Sequence, residues 1–498
     1  MAGLRRFPNL YEINTCHFLR RMRQKYGKPL TLLTIPDVEW QTIATKGFDL
    51  VWLMGVWERS PRSRREALSH LELRHEYDHA LPGWTDEDVS GSPYAIYNYE
   101  LNPLLGQPGD LAWLKVKLNK IGLKLVLDFV ANHLAVDHSW VATHPQRFVQ
   151  ADVTGRKEHP EWFFSIGGRR YFAHGRDPNF PPWTDTAQVN FYSPEMRDAL
   201  INELKRVASV CDGVRCDMAM LALNEVFGRV WGRYAGYTEP GMEFWSEALF
   251  QVKQDRPDFL FLAEAYWDME RQLQRLGFDY TYDKGLYDRL RYSGDYEIRN
   301  LLSDESYQEH SVHFIENHDE ERAAAAFGIE RSLAAAAVIS TVPGLRLFHD
   351  GQLEGYRTRM PVQLVRQNVE NTNFEIQRFY ERLLTACNSP VFHDGQWQLL
   401  DFNRVGDATT SHPDLLAWLW ILSSDKNQQV KIVVVNYSDV HAYGWLKLPF
   451  PDGPQNITMQ EELPDKLLTH NTNPIENQGI YLEFKPWQAQ ILAIKELI

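Results

Sequence analysis

The segment Lys124-Leu-Val-Leu-Asp128-Phe-Val-Ala-Asn132-His133 is a run of apolar and β-branched residues that ends in polar side chains. This composition is typical of a short strand that is buried on both faces. In a barrel of parallel strands, side chains at the carboxyl ends of the strands face the mouth, where active sites lie. The segment therefore predicts a barrel strand that brings Asp128, Asn132 and His133 to that rim.

Three later segments have the same form. They are Asp212-Gly-Val-Arg215-Cys-Asp217, Phe259-Leu-Phe-Leu-Ala-Glu264 and Ser311-Val-His-Phe-Ile-Glu-Asn-His318-Asp319. A single ending of this kind could simply mark where a strand stops at a polar residue. Four of them in order along one chain indicate a barrel that gathers carboxylates at one rim.

Eight strand candidates before residue 390 predict an α/β fold, a closed (β/α)8 TIM barrel. Most are separated by segments long enough for a crossover helix. The candidates are residues 10–16, 49–57, 124–130, 212–218, 259–265, 278–283, 311–319 and 345–350. Helices are expected at 111–121 and 195–210, where apolar residues recur at helical spacing, and Ser193-Pro194 is a plausible start for the second.

Two regions depart from the alternating pattern. Residues 134–190 are too long for an ordinary loop between a strand and a helix, so they predict an insertion subdomain (domain B) over the barrel mouth. After residue 390, short strand-like runs separated by turn residues predict a C-terminal antiparallel β-sandwich. These runs are residues 415–422, 430–437, 444–448 and 480–484. The predicted domains are 1–133 with 191–390 for the barrel, 134–190 for the insertion and 391–498 for the β-domain.

Composition narrows the classes of function. A chain of 498 residues with 44% hydrophobic residues can bury large cores, and its net charge of −14 argues against a nucleic-acid or anionic-membrane partner. We find no apolar stretch of signal-peptide or membrane-span length, so a cytoplasmic location is the default expectation. Four cysteines without paired Cys-x-x-Cys spacing are expected to be reduced core residues. The oligomeric state is left open.

Together, the four segments resemble the motifs of the α-amylase family of glycoside hydrolases and transglycosylases, glycoside hydrolase family 13. The resemblance extends over the barrel, the insertion after its third strand and the β-domain. It implies that Asp217 is the catalytic nucleophile, Glu264 the general acid and base, and Asp319 the stabiliser of the distorted sugar. A retaining glycosidase holds an attacking carboxylate and a protonated carboxyl about 5–5.5 Å apart. Glu264 is therefore expected to keep its proton while Asp217 stays ionised.

The resemblance also implies residues that contact the sugar. His133 and His318 would hydrogen-bond to glucose hydroxyls, and Tyr94 would stack beneath the cleaved sugar. Trp57 and Trp267 are candidate aromatic platforms for substrate, as are Trp84 and Trp183.

Three further residues are expected to support the site. Arg215 lies two residues before Asp217, on the same strand face, and can orient that carboxylate. The alternative is an Arg–Asp pair that only fixes barrel packing. By resemblance, Asp128 and Asn132 support the site and do not react.

Two positions depart from the family pattern. Glucan-cleaving members commonly have Lys and His three and four positions after the nucleophile, where this chain has Met220 and Leu221. These apolar side chains cannot replace the lost hydrogen bonds, which argues against an extended glucan substrate. The change also removes a usual contributor to the family's calcium site and leaves Asn132 as the main recognisable ligand position. No cofactor is expected to be required, and a structural Ca2+ is compatible with Asn132 but is not predicted.

The leading hypothesis is hydrolysis of a small intracellular α-glucoside through a covalent glucosyl-enzyme. The residues 49–57 and 278–290 look more like bacterial and cyanobacterial intracellular members than like secreted amylases. Glucosylglycerol hydrolases, which give glucose and glycerol, are one candidate subfamily. The alternatives are an intracellular α-amylase or α-glucosidase acting on maltooligosaccharides, a glucosyltransferase or phosphorylase with the same intermediate, and a non-catalytic binding protein.

Overall fold

A closed barrel of eight parallel strands forms the centre of the computed structural model, which describes residues 3–168, 170–403, 415–424, 427–449, 456–463, 466–471 and 479–497. The strands are β1 Asn9–Asn14, β2 Leu50–Met54, β3 Lys124–Val130, β4 Gly213–Asp217, β5 Leu260–Ala263, β6 Tyr280–Tyr282, β7 Ser311–His313 and β8 Leu345–His349. Each strand pairs with the next along the chain, and β8 pairs with β1 to close the barrel. The predicted TIM barrel is therefore confirmed.

The barrel strands are buried on both faces. In β2, Leu50 and Trp52 belong to the cluster that fills the barrel, whereas Val51 and Leu53 belong to the cluster between barrel and helices. This alternation follows from the two-residue repeat of a strand. It explains why these segments are almost wholly apolar up to their carboxyl ends.

Helices cover the outside of the barrel. The longest, Pro194–Val210, begins where the Ser193 hydroxyl accepts a hydrogen bond from the Met196 amide, with Pro194 in its first turn. The α-helices outside the loop after β2 and the insertion are Thr15–Tyr26, Asp37–Thr45, Asp110–Asn119, Pro194–Val210, Asn224–Trp231, Phe244–Asp255, Glu270–Arg275, Lys284–Tyr292, Asp295–Leu302, Glu305–Gln308, Ala323–Ala326, Ile329–Thr341, Phe374–Cys387 and Val391–Asp394.

The loop after β2 corrects one predicted strand. Residues 49–57 do not form a single strand, because Gly55 has a φ of 78° and turns the chain. After this turn Trp57–Arg59 pairs antiparallel with Ile96–Leu101, outside the barrel. Helices Pro61–Ser69 and Leu71–Ala80 lie between these two strands in the sequence.

The insertion after β3 contains two small antiparallel sheets. His133–Ala135, which directly follows β3, pairs with Thr186–Gln188. Gln150–Ala151 and Phe163–Ile166 pair on either side of Arg170–Ala173. The short helices of this region are Ser139–Thr143 and Val153–Glu158. Because its first strand starts and its last strand ends next to the end of β3, the insertion lies at the barrel mouth.

The C-terminal region is an antiparallel β-sandwich, as predicted, although parts of the predicted 391–498 domain lie outside the described residues. One sheet contains, in spatial order, Gln396–Leu399, Leu415–Ser424, Asn427–Asn436, Ala489–Leu497, Asn456–Glu461 and Lys466–Asn471. The other contains Phe402–Asn403, Ala442–Leu446 and Ile480–Phe484. Leu419 and Ile432 of the first sheet share one apolar cluster with Leu446 and Leu482 of the second.

All four cysteines, Cys16, Cys211, Cys216 and Cys387, are buried and unpaired. Within the described part of the chain, no helix is both long and apolar enough to cross a membrane.

Trp420 joins the β-sandwich to the barrel, so we expect its removal to destabilise the protein. Its indole is fully buried, contacts the rings of Phe7 and Phe392, and donates a hydrogen bond to the Thr341 carbonyl oxygen. Trp420→Ala should lower the free energy of the first unfolding transition by about 3–5 kcal/mol, measured by urea titration of tryptophan fluorescence.

The matched control is Trp113→Ala, because Trp113 is 67% exposed. That change should alter stability by less than about 0.5 kcal/mol. Equal losses in the two variants would contradict the assignment of Trp420 as the joint between the domains.

Candidate active site

Three carboxylates from separate strands line one cavity of about 1040 Å3 at the barrel mouth. Asp217 is the last residue of β4, Glu264 follows the end of β5, and Asp319 lies in the loop after β7. The predicted strand 311–319 is shorter than expected, because its strand pairing ends at His313. The loop nevertheless brings Asp319 to the same cavity as the other two carboxylates.

Arg215 bridges two of the three carboxylates. Its Nη1 contacts Asp217 Oδ1 at 2.6 Å, and its Nη2 contacts Glu264 Oε2 at 2.8 Å. The Arg215 side chain is 1% exposed, so this charge is shielded from water. Burial raises the pKa of Asp217, and the guanidinium opposes that rise and favours the ionised form. The predicted contact between Arg215 and the nucleophile position is present.

Glu264 has the environment of a proton donor. Its Oε2 accepts a hydrogen bond from the Met218 amide at 2.6 Å, and its Oε1 accepts one from the Tyr266 hydroxyl at 2.9 Å. Met218 adopts a φ of 43°, a left-handed conformation in which its amide reaches the carboxylate. Burial, with smaller contributions from Asp217 and Asp319, raises the pKa of Glu264 to about 7, although Arg215 opposes the shift.

Asp319 is held by His318, which is itself held by Glu12. His318 Nε2 lies 3.0 Å from Asp319 Oδ2 and 2.6 Å from the Tyr94 hydroxyl, while its Nδ1 lies 2.6 Å from Glu12 Oε1. Burial alone would raise the pKa of Asp319, but the charge of His318 and its hydrogen bond lower it to about 2. Asp319 is therefore ionised, and its side chain is 46% exposed toward the cavity.

Asp128 and Asn132 are buried and do not line the cavity. Asp128 accepts hydrogen bonds from the Gly55 amide at 2.7 Å and the Trp52 indole at 3.1 Å, and burial raises its pKa to about 6. The Asn132 side-chain oxygen accepts a hydrogen bond from Gln188 Nε2 at 2.9 Å. Among the described residues, no group of three or more His, Cys, Asp or Glu side chains has a metal-binding arrangement.

Four predicted contact residues lie where a sugar could touch them. Tyr94, His133, Trp183 and Trp267 all line the cavity. The His133 ring packs against Trp183, with ring centroids 4.9 Å apart, and burial lowers the pKa of His133 to about 3. His133 is therefore a neutral ring that can donate or accept a hydrogen bond.

Two of the predicted tryptophan platforms are elsewhere. The prediction for Trp57 is wrong, because the turn at Gly55 directs this ring into the core, where it is 2% exposed and donates to the Asp128 carbonyl oxygen at 2.7 Å. Trp84 packs on Tyr77 outside the cavity lining. Met220 and Leu221 are buried and do not line the cavity either.

Sequence reasoning missed several residues of the site. Glu12 contacts His318, the Tyr266 hydroxyl donates to Glu264, and the Tyr282 hydroxyl accepts from Arg215. Glu270 lines the cavity beyond Trp267 and is 7% exposed, and burial raises its pKa to about 7. Tyr266 directly follows a recognised motif and was within reach of sequence analysis, whereas Glu12 and Glu270 have no motif around them.

Fold and site together define a class: (β/α)8 proteins that gather three carboxylates and a buried arginine at the barrel mouth. The family model for the alpha-amylase catalytic domain matches residues 43–388. The chain belongs to the alpha-amylase family, glycoside hydrolase family 13.

Curated relatives are distant. Alpha-amylase 3 of Dictyoglomus thermophilum is 23% identical over 297 residues, which cover 54% of this chain and 54% of that protein. Alpha-amylase MalA of Haloarcula japonica is 27% identical over 291 residues, or 57% of this chain and 38% of that protein. An alpha-1,4-glucan:maltose-1-phosphate maltosyltransferase of Rhodospirillum rubrum is 26% identical over 265 residues, or 50% of this chain and 30% of that protein. The chain thus matches about half or less of the length of these relatives.

Solved structures share the fold over the whole chain. A maltogenic alpha-amylase from Thermotoga neapolitana superposes with a TM-score of 0.68 at 20% identity, covering 100% of both chains. Trehalose-6-phosphate hydrolase from Bacillus licheniformis gives a TM-score of 0.65 at 15% identity, covering 99% of this chain and 100% of that one. At these identities the likeness concerns the fold.

The environment of Glu264 predicts an unusual titration. Because its pKa is raised to about 7, Glu264 should be protonated below that pH and ionised above it. We expect 13C NMR of protein labelled at the glutamate carboxyl carbon to show a resonance of Glu264 that titrates near pH 7. This resonance should be absent from Glu264→Gln.

Glu270 also has a pKa raised to about 7, so Glu270→Gln is the control that separates the two resonances. If the resonance removed by Glu264→Gln titrates below about pH 5, where ordinary glutamates ionise, the raised pKa of Glu264 is contradicted.

Proposed function

We propose that this protein is a retaining glycoside hydrolase that cleaves the α-glucosidic bond of small α-glucosides. The observation that carries the proposal is the double contact of Arg215 with Asp217 and Glu264, at 2.6 and 2.8 Å. Because one guanidinium contacts both carboxyl groups, the two groups lie side by side, which suits the shorter of the two spacings used by glycosidases. Retaining glycosidases hold their carboxyl groups about 5–5.5 Å apart, whereas inverting enzymes need about 6.5–9.5 Å to admit a water molecule.

The reaction would proceed by double displacement. Asp217 attacks the anomeric carbon while Glu264 gives its proton to the glycosidic oxygen, so the aglycone leaves and a glucosyl ester forms on Asp217. Glu264, now ionised, takes a proton from a water molecule that attacks the same carbon and releases the sugar with its original configuration. A pKa of about 7 suits Glu264 to both proton transfers. The ionised Asp319 stabilises the positive charge that develops on the sugar ring.

The position of Glu264 sets the orientation of the substrate. Because Glu264 protonates the leaving group, the aglycone lies toward the loop after β5. In this orientation the glucosyl unit would lie against Tyr94, His133 and Asp319, which also line the cavity. One end of the cavity then binds the glucosyl unit and the other end binds the aglycone.

The glucosyl end is bounded by a wall of three joined segments: helix Pro61–Ser69 after β2, residues 184–186 of the insertion and residues 363–366 after β8. We call this the glucosyl-side wall. The Ser63 hydroxyl donates to Asp185 Oδ2 at 2.6 Å, and the Thr184 hydroxyl donates to Glu66 Oε2 at 3.0 Å. The segment after β8 is held by the Ser90 amide, which donates to the Gln363 carbonyl oxygen at 2.9 Å. A wall joined in this way supports binding of a single terminal glucosyl unit and not the middle of a long glucan.

The aglycone end supports a small hydroxylated leaving group. We place Asp268, Lys284 and Arg289, which line the same cavity, at this end, where they would supply hydrogen-bond donors and acceptors suited to a polyol. Glucosylglycerol, which would give glucose and glycerol, is therefore the candidate substrate. Other family members commonly have Lys and His at the positions of Met220 and Leu221. These two side chains supply no polar group there.

Transfer is the second candidate, because the same glucosyl ester can react with a sugar or phosphate in place of water. Maltosyltransferases are among the curated relatives, which supports transfer as the second candidate. Hydrolysis of maltooligosaccharides by an α-amylase or α-glucosidase is a further alternative. A non-catalytic binding role is disfavoured, because the three carboxylates and Arg215 are all present.

The first test is product formation. Purified protein incubated with glucosylglycerol, maltose, trehalose, sucrose or soluble starch should release α-glucose from one small glucoside, followed by NMR before the anomers equilibrate. Asp217→Asn should lower kcat/KM by about 10⁴-fold or more, as loss of a nucleophile does in other enzymes.

Asp198→Asn is the matched control, because Asp198 is an exposed carboxylate on helix Pro194–Val210. It should retain full activity. Release of β-glucose would overturn the retaining mechanism, and a product glycoside in place of free glucose would establish transfer.

The glucosyl-side wall predicts attack from the chain end. A nitrophenyl maltooligosaccharide should release terminal glucose, whereas the same compound with its terminal 4- and 6-hydroxyls blocked by an ethylidene group should be inert. Cleavage of both compounds at similar rates would show that the cavity accepts the middle of a glucan and would refute the closed end.

A further inference from the structure

Glu12 is a fully buried carboxylate that the proposed reaction does not use. It lies in β1, and its side chain is enclosed by the barrel. Its Oε1 contacts His318 Nδ1 at 2.6 Å and accepts a hydrogen bond from the His318 amide at 3.3 Å. Its Oε2 has no hydrogen-bond partner within the described part of the chain. The hydrogen bonds of Glu12 are thus directed at His318.

The other ring nitrogen of His318 faces a second carboxylate. Nε2 lies 3.0 Å from Asp319 Oδ2 and 2.6 Å from the Tyr94 hydroxyl. An ionised carboxylate only accepts hydrogen bonds, so each ring nitrogen must donate to satisfy its neighbour. A neutral imidazole has one N–H group, and only the imidazolium has two. Only a charged ring can donate to both carboxylates at once.

We propose that Glu12 is a positioning residue that keeps His318 as an imidazolium, and that this cation keeps Asp319 ionised and fixed toward the cavity. Glu12 would act through His318 and would not touch the substrate. The effect on catalysis rests on the proposed function, whereas the effect on His318 does not.

Because His318 and Glu12 are both buried, the charge of each depends strongly on neighbouring charged groups. Burial alone would lower the pKa of His318, yet Asp319 and Glu12 raise it well above its ordinary value. Burial also opposes the charge of Glu12, but His349 and His318 lower its pKa. Glu12 therefore contributes to the charge of His318 together with Asp319, and loss of Glu12 should lower the pKa of His318.

Groups from several elements act on His318, and the test must separate them. Tyr94 stacks on the ring with centroids 5.5 Å apart, and Trp52 meets it edge-on at 5.4 Å. Arg215 lies over the Tyr94 ring at 5.3 Å. The charged groups that act on His318 or on Glu12 are Glu12 in β1, Asp128 in β3, Asp217 in β4, Asp319 after β7 and His349 in β8.

The experiment compares the wild-type protein with Glu12→Gln, which removes the charge and keeps the shape. Histidine labelled with 13C at Cε1 reports the ring charge by NMR without substrate, and His318→Gln assigns the resonance. In the wild-type protein, His318 should stay protonated through pH 8. In Glu12→Gln, its titration should move down by about 1–3 pH units, the usual effect of one nearby charge.

Activity gives a second readout. His318 carries its charge below its pKa, so lowering that pKa removes the charge from the alkaline side of the profile first. Glu264 already loses its proton near pH 7, so deprotonation of His318 adds a second loss, and the kcat of Glu12→Gln should fall more steeply on the alkaline side than that of the wild-type protein, while the acid side is retained. A purely structural role would lower kcat equally at every pH.

Glu354→Gln is the control, because Glu354 is a half-buried carboxylate in the loop after β8 that does not line the cavity. It should leave the His318 titration unchanged. A neutral His318 in the wild-type protein at pH 7 would overturn the proposal even if Glu12→Gln fails to fold, as would an unshifted titration in a folded variant. If His318 shifts as expected but no glucoside is cleaved, the proposed function fails while the role of Glu12 stands.

Discussion

The buried guanidinium of Arg215 is the charge on which the site depends. Taking an arginine out of water costs several kcal/mol unless its hydrogen bonds and charge are matched. Here two carboxylates provide the match, and the rings of Trp52, Tyr94 and Tyr282 lie 5.3 to 5.6 Å from the guanidinium carbon. Aromatic faces stabilise a cation without adding negative charge. The arginine is thus held in place from all sides and can hold the carboxylates in turn.

Counting the charges explains why the carboxylates differ. Arg215 is shared between Asp217 and Glu264, whereas His318 is paired with Asp319 and Glu12. One shared cation cannot support two ionised carboxylates in a buried site, so one of them keeps a proton. Glu264, whose pKa is raised to about 7, is that residue, while the pKa of Asp319 is lowered to about 2. The difference in protonation between Glu264 and the ionised carboxylates follows from how the two cations are distributed.

Much of this arrangement could be predicted from sequence because the barrel turns a local pattern into a spatial one. A buried strand that ends in a carboxylate sends that group to the mouth, so Asp217 and Glu264 were within reach of simple reasoning. The error at Trp57 also has a local cause, since Gly55, with a φ of 78°, ends the strand at Met54, three residues earlier than predicted. Glu12 is different, because it is a single acid inside an apolar strand and its partner is 306 residues away. No periodicity or motif marks such a residue before the barrel is closed.

Substrate preference is harder to predict than chemistry for the same reason. The glucosyl-side wall exists through contacts between segments far apart in sequence, such as Ser63 and Asp185, which are 122 positions apart. Its third segment is also held by an ion pair at 2.8 Å between Arg366 and Asp88 in the loop after β2, and these residues are 278 positions apart. Motifs at strand ends place the reacting groups, but they contain no information on which loops meet above them. In this fold the carboxylates of the site are therefore encoded locally, strand by strand, whereas the shape of the cavity depends on how the loops after β2, β3 and β8 contact one another.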